Sequence, residues 1–168
     1  MDNPEIMTPK ETVIAKFQAN RKRSLEFLAS LPPEEWETYT LGTWHLREVV
    51  AHLVGWTYES TRAMGELANG LPPSYDAYDR GDDWSEINAI FLRKYGGGSS
   101  SELIHQLRAS GEYAVTHAEK LPNEAFEEAN GVFRKNRQWT VYIELDDTAD
   151  HERGHIDRVM EALGHQKP

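Results

Sequence analysis

Residues 43–56 read TWHLREVVAHLVGW. Apolar side chains recur every three or four residues here and beyond, which is the spacing of one helix face. The pattern predicts a helix over residues 44–69, capped by Thr43 and closed by the Gly-Leu-Pro-Pro stretch that begins at Gly70. The apolar stripe consists of Leu46, Val49, Val50, Leu53, Ser60, Met64 and Leu67.

The N-terminal part of the chain carries a second helical pattern. Thr8 is followed three residues later by Glu11, with Pro9 at the first helical position, which is the pattern of a capping box. A helix over residues 9–31 is therefore expected to end before Pro32.

Two more helical stretches complete the pattern. A third helix is expected over residues 85–120, broken around glycines 96–98, and a last helix over residues 140–163 ends before Gly164. Four amphipathic helices without a convincing set of strands predict an all-α four-helix bundle. The length of the chain predicts a single domain over residues 1–168.

The connecting stretches have weaker patterns. Residues 34–41 are expected to form a loop or a single turn, and residues 74–83 a long loop of the kind that serves as a lid or binding loop or is disordered. The polar stretch 123–137 contains one apolar pair, Val132-Phe133, that is compatible with a short extended piece.

The charge balance limits the classes of partner. The chain has 28 acidic and 18 basic residues, a formal net charge of −10, and no cysteine. Such a surface repels phosphate backbones, so nucleic acid is not expected as a partner. The basic clusters at residues 21–23 and 134–137 are expected on a solvated helix face and in a solvated loop. Without cysteine there are no disulfides and no thiolate ligands for a metal.

No membrane partner is expected either. No apolar run approaches the roughly 20 residues that span a bilayer. The stretch Met1–Lys10 carries Asp2 and Glu5 and lacks an apolar core, so it does not resemble a signal peptide. These features predict a cytoplasmic protein.

Two histidines on the last predicted helix are candidate metal ligands. His151 and His155 lie one turn apart on the same side of that helix, so both imidazoles can reach one point. The intervening Glu152 gives the string His-Glu-x-x-His, the zinc-protease pattern of two ligands and a glutamate base. A zinc protease would also need a downstream third ligand or a sheet edge to hold its peptide substrate. Only His165 follows, and no strand-rich platform is evident. The protease interpretation is therefore not favoured.

His52 is the third candidate ligand. At 100° per residue it lies roughly 110° from the centre of its apolar stripe, and His155 and His151 lie roughly 95° and 135° from the centre of theirs. Such flank positions fit either half-exposed surface histidines or residues that line a cleft between helices. The remaining histidines have the pattern of surface or helix-edge residues: His45, His105, His117 and His165.

The neighbours of the candidate ligands suggest a cleft. Trp44, Trp56 and Glu59 fall near the His52 side of the second helix, which makes that side aromatic and acidic. Asp147 precedes His151 by one turn, where a carboxylate can receive an imidazole N–H or complement the positive end of the helix.

Three stretches carry a family resemblance. Residues 43–56 resemble the second-helix signature of the DinB-like superfamily, and residues 150–156 resemble its fourth-helix signature. Residues 84–91 resemble the entry to the third helix in the DfsB/ClbS branch. The resemblance implies a four-helix bundle in which a divalent metal ion, nickel or zinc, is bound by His52, His151 and His155. It also implies a homodimer and activities on small molecules, often with low-molecular-weight thiols.

Two functions and one non-functional alternative remain open. The first function is that of a metal-dependent transferase or hydrolase acting on a small molecule, with Glu59 and Asp147 as acid–base or supporting candidates. The second is non-catalytic sequestration of a small molecule, as in self-protection proteins. The third possibility is a histidine cluster that binds nothing. The expected substrate pocket is lined by Trp44, Trp56 and Trp84. For sequestration, the expected rim of the cleft that traps an apolar ligand consists of these three residues and Tyr78.

Overall fold

The computed structural model describes residues 7–165, and helices make up most of this range. The prediction of an all-α fold is confirmed. The stretch Met1–Lys10, which was not expected to be a signal peptide, lies mostly outside the described residues. No helix among residues 7–165 is long and apolar enough to cross a bilayer. The elements are α1 (Pro9–Ser30), β1 (Tyr39–Leu41), β2 (Trp44–His45), α2 (Leu46–Ala68), α3 (Ser85–Tyr95), α4 (Ser100–Lys120), β3 (Val132–Arg134), β4 (Arg137–Trp139) and α5 (Val141–Ala162).

Four of the helices form the bundle. Helix α1 packs against α4 and α5, and α2 packs against the same two helices, so α1 and α2 lie on opposite corners. Helix α3 packs mainly on α2 outside this ring. The predicted third helix is therefore two helices with different neighbours. The helical conformation is interrupted at the glycines, where Gly98 has a φ of +92°. A capping box formed by Ser99 and Glu102 then starts α4.

Helix α1 starts where its capping residues predict, whereas α2 starts later than predicted. The predicted capping box of Thr8 and Glu11 is present at the start of α1. Helix α2 starts at Leu46, two residues later than predicted, because β2 pairs with β1 across a turn at Gly42. The backbone N–H of His45 then donates to the carboxylate of Glu48 at 2.7 Å.

A second hairpin covers one side of the bundle. Strands β3 and β4 pair in antiparallel register, and the turn residues Lys135 and Asn136 both have positive φ, at 49° and 63°. Positive φ at both positions is typical of a tight two-residue hairpin turn. The sequence indicated the extended piece at Val132-Phe133 but not its partner strand.

A buried ion pair joins α1 to α5. The Nε and Nη2 atoms of Arg21 donate to the Glu152 carboxylate at 2.7–3.0 Å, and Arg21 also donates to the hydroxyl of Thr57 at 2.9 Å and to the carbonyl of Leu107. The expectation of a solvated helix face is wrong for Arg21, which is 5% exposed. A guanidinium can be buried there because Glu152 neutralises it and Gly111, lacking a side chain, leaves it room.

Candidate metal centre

Three histidines converge where α2 and α5 face each other. His52 Nε2 lies 3.1 Å from His151 Nε2, which lies 2.9 Å from His155 Nε2. One nitrogen from each residue falls within 4.8 Å of the other two. The one-turn spacing on α5 and the packing of α2 beside it bring these side chains to one point.

The donor set fits a divalent transition-metal ion. Four-coordinate zinc bonds imidazole at about 2.0–2.1 Å, which places ligand nitrogens roughly 3.3 Å apart. Burial is the main cause that lowers the pKa of all three imidazoles, to about 2 for His52, about 4 for His151 and about 3 for His155, and the neighbouring imidazoles contribute to the values of His52 and His155. All three rings are therefore neutral at physiological pH, the form that binds metal.

The orientation of His52 is fixed by a residue on α3. The Oδ1 atom of Asn88 lies 3.1 Å from Nδ1 of His52 and also accepts a hydrogen bond from Nε1 of Trp56. Sequence reasoning did not single out Asn88, although it lies one turn after Trp84 in the stretch with the family resemblance. Its role depends on how α3 sits on α2, which helical spacing within either helix does not encode.

A cavity of about 280 Å³ opens beside the histidines. Two helix stripes face each other across it, His52, Trp56 and Ser60 on α2 and Glu144, Thr148 and His151 on α5. The spacings of three and four residues place each set on one face of its helix. The cavity is also lined by Tyr75, Trp84, Asn88, Arg134, Lys135, Trp139 and Asp147.

A buried carboxyl group lies in the wall of this cavity. Glu144 accepts hydrogen bonds from the Tyr75 hydroxyl at 2.9 Å and from Trp139 Nε1 at 2.7 Å. Burial raises the pKa of Glu144 above its ordinary value, and burial together with Glu144 raises the pKa of Tyr75. Glu144 is therefore biased towards its neutral, protonated form.

Some of the predicted pocket residues line the cavity and one lies beside it. Trp56, Trp84 and Asp147 line the cavity. Trp44 packs against the His52 ring, with centroids 5.0 Å apart, but faces an adjoining cleft that it shares with Trp84.

The two acid–base candidates also differ. Glu59 forms an ion pair with Arg62 and does not line the cavity. Asp147 does line it, and burial raises the pKa of its carboxyl. Among residues 7–165 the structure gives no hydrogen bond between Asp147 and His151, so the partner that orients an imidazole here is Asn88 on His52.

Solved structures of other proteins share the fold. The colibactin self-resistance protein ClbS, crystallised in complex with a dsDNA, superposes with a TM-score of 0.73 at 18% identity, covering 94% of this chain and 97% of that one. A protein from Streptococcus pneumoniae gives a TM-score of 0.69 at 16% identity, covering 94% and 93%. No curated protein sequence matches the chain significantly.

The expectation that nucleic acid is excluded as a partner is wrong. A protein of this fold, ClbS, was crystallised with dsDNA. The physical reason is that net charge sums over the whole surface, whereas binding depends on the potential at one face.

The family assignment rests on the sequence itself. The sequence model of the DinB superfamily matches residues 16–159, which include all three converging histidines. The match spans most of the chain and agrees with the bundle of α1, α2, α4 and α5. The chain therefore belongs to the DinB superfamily.

Proposed function

We propose that this protein binds one divalent metal ion, nickel or zinc, through His52, His151 and His155, and acts on a small molecule as a transferase or hydrolase. The observation that supports this most directly is the convergence of three neutral, mostly buried imidazoles beside a cavity. A metal ion held there would supply Lewis acidity or lower the pKa of a bound water or thiol. Nickel and zinc are both common partners of imidazole.

Residues around the cluster have distinct tasks in this proposal. Asn88 holds His52 with Nε2 directed at the other two histidines. Trp56 and Trp84, whose ring centroids lie 5.4 Å apart, shape an aromatic wall that excludes water. Asp147 is the acid–base candidate that the cavity supports, and Glu59 is disfavoured by its ion pair with Arg62. Glu152 cannot serve as a protease-type base, because Arg21 holds its carboxylate in the core.

The metal content of the purified protein tests this proposal. Wild type should take up stoichiometric nickel or zinc, measured by mass spectrometry of the metal after dialysis. His52→Ala and His155→Ala should lose it, since two ligands hold the ion weakly. His105→Ala is the matched control, because His105 lies exposed on α4. Wild type without bound metal, or variants that retain it, would refute the proposal.

Sequestration of a small molecule is the alternative. It is supported by the aromatic walls of the cavity and by the likeness in fold to a self-resistance protein. A thiol-transfer assay with reactive electrophiles separates the two functions. Enzymatic turnover should disappear when the metal is removed, whereas sequestration would protect only in proportion to the amount of protein added.

Double-stranded DNA is a further partner to test, because ClbS was crystallised with it. The β3–β4 hairpin exposes Lys135 and Arg137 beside Phe133, which is 72% exposed. Cations and an exposed aromatic ring are groups that contact nucleic acids. Fluorescence anisotropy with a labelled duplex should show binding that weakens with salt and with Arg137→Gln.

Three expectations from the sequence stay predictions: a single domain over residues 1–168, a cytoplasmic location and a homodimer. Apolar residues outside the helix stripes, such as Trp36, Phe126 and Phe133, are a reason to expect a dimer that is independent of the family resemblance. Trp36 and Phe126 are buried within the protomer, which leaves exposed Phe133. Light scattering at micromolar concentrations measures the oligomeric state directly.

A further inference from the structure

Arg134 is a buried cation in the wall of the cavity. It ends strand β3, and its side chain is 7% exposed. The guanidinium carbon lies 5.2 Å from the ring centroid of Tyr75 and 4.5 Å from that of Trp139. The sequence suggested a solvated loop for the basic cluster at 134–137. That expectation is wrong for Arg134, because the hairpin turns this side chain inward onto the two aromatic rings.

Only part of the guanidinium is used by the protein. Nε of Arg134 donates to Oδ2 of Asp76 at 2.7 Å, and Nη2 donates to Oδ1 of the same carboxylate. Within the described part of the chain, Nη1 makes no hydrogen bond, and it is not sealed from solvent. Because Asp76 occupies one edge of the planar group, Nη1 is the donor left for another acceptor. Arg134 lines the same cavity as His52 and His151.

Arg134 and Lys135 are the two cationic side chains that line the cavity. Asp76 is the counter-charge that Arg134 contacts directly, and Glu144 lies within electrostatic range. Lys135 also lines the cavity, with Nζ 5.2 Å from the Trp84 ring, and it pairs at 3.6–3.7 Å with Asp79 and Asp82 outside. Asp147 contributes one acidic group to the lining, and it interacts with Arg137 and Lys135.

Aromatic contacts connect Arg134 to the histidines. The ring of Trp56 lies 5.4 Å from Tyr75, and 6.3 and 6.4 Å from His52 and His151. A ligand between these groups meets an arginine at one end, aromatic faces along its length and imidazoles at the other. The volume of about 280 Å³ is at the small end for ligand pockets, so the ligand is compact.

We propose that Arg134 binds the carboxylate of a small, partly aromatic or unsaturated ligand in this cavity, with the opposite end of the ligand directed at the histidine cluster. The inference rests on the proposed function in that it names the ligand class for the same cavity. The metal content of the protein and the binding of a carboxylate are measured separately, so either can fail alone.

Benzoate and benzamide are the probes, because they share one shape and differ in charge. Isothermal titration calorimetry on the metal-free protein at low salt should show benzoate binding about tenfold or more tightly than benzamide, as expected for hydrogen bonds to a charged group. Arg134→Gln should abolish this preference, and Arg134→Lys should restore part of it, because lysine keeps the charge but not the fork.

Arg108→Gln is the control for the loss of a cation. Arg108 is exposed on α4 and does not line the cavity. This variant should keep the preference for benzoate. Equal affinity of wild type for the two probes, no benzoate binding at millimolar concentrations, or an unchanged preference in folded Arg134→Gln would each overturn the proposal. The wild-type comparison stands even if Arg134→Gln fails to fold.

Discussion

The Oδ1 atom of Asn88 lies 3.1 Å from Nδ1 of His52. The same oxygen accepts from the indole N–H of Trp56, a group that can only donate, so the amide orientation is fixed. Neutral His52 must then carry its proton on Nδ1 and keep its lone pair on Nε2, the nitrogen that faces His151.

Asn88→Leu should weaken metal binding by about 10- to 100-fold, because supporting partners of ligand histidines have effects of this size. Competition with a chromophoric chelator measures the change. Asn88→Asp is the control, since it keeps an acceptor at the same place and should retain more affinity than Asn88→Leu. Equal affinity of wild type and Asn88→Leu would show that the hydrogen bond has no part in metal binding.

Glu152→Gln should lower the free energy of unfolding by about 3–5 kcal/mol, because it leaves the buried Arg21 guanidinium without its counter-charge. Urea denaturation followed by circular dichroism gives this value. The control is Glu26→Gln, which breaks an exposed pair with Lys22 and should cost less than about 1 kcal/mol. Similar stability losses for the two variants would contradict the assignment of Glu152 to the core.

Gly55→Ala should destabilise the protein by about 1–3 kcal/mol, because a Cβ at this position would overlap the ring of Phe91, where α3 packs on α2. Gly154→Ala serves as the comparison in the same assay. A Cβ at Gly154 meets nothing within 4 Å, so alanine there should stabilise α5 by about 0.5–1 kcal/mol. Opposite signs for the two variants are the expected thermal-melt result, and the same sign for both would be inconsistent with this packing.

The stability of the protein should depend on pH through Glu144. Burial raises the pKa of this carboxyl from its ordinary value of 4.5, so above that value the unfolded chain loses a proton that the folded protein keeps. Stability therefore falls as pH rises through this window. Glu144→Gln does not titrate and still offers an oxygen to Tyr75 and Trp139. Relative to wild type it should be more stable near pH 8 than near pH 4. A difference in melting temperature that does not change with pH would argue against a raised pKa of Glu144.

Much of the bundle is predictable from helical spacing. The stripe on α2 and the capping box at Thr8 depend on neighbours within a few residues, which is why the sequence predicts them well. Local spacing also pairs His151 with His155. It does not place His52 beside them, because its angle fits a surface position as well as a cleft. The family resemblance supplied that ligand.

The rest of the cavity depends on contacts between distant segments. Arg134 is buried because β3 pairs with β4 and Asp76 reaches it from another part of the chain, 58 residues away. The amphipathic pattern of the sequence does not predict that Glu144 is buried, because buried helix positions are usually occupied by apolar residues. Likewise, the net charge of the chain does not predict which cationic side chains are buried.

The side chains between His151 and His155 point in different directions around α5, so they contribute to different properties of the protein. His151 and His155 face the cluster, Glu152 faces Arg21 in the core, and Arg153 is exposed. A saturation-mutagenesis library screened only for folded protein should therefore retain Glu152 and tolerate substitutions of the two histidines. A screen for the proposed metal-dependent function should retain all three residues. The difference between the two screens would separate the residue needed for folding from those needed for the proposed function.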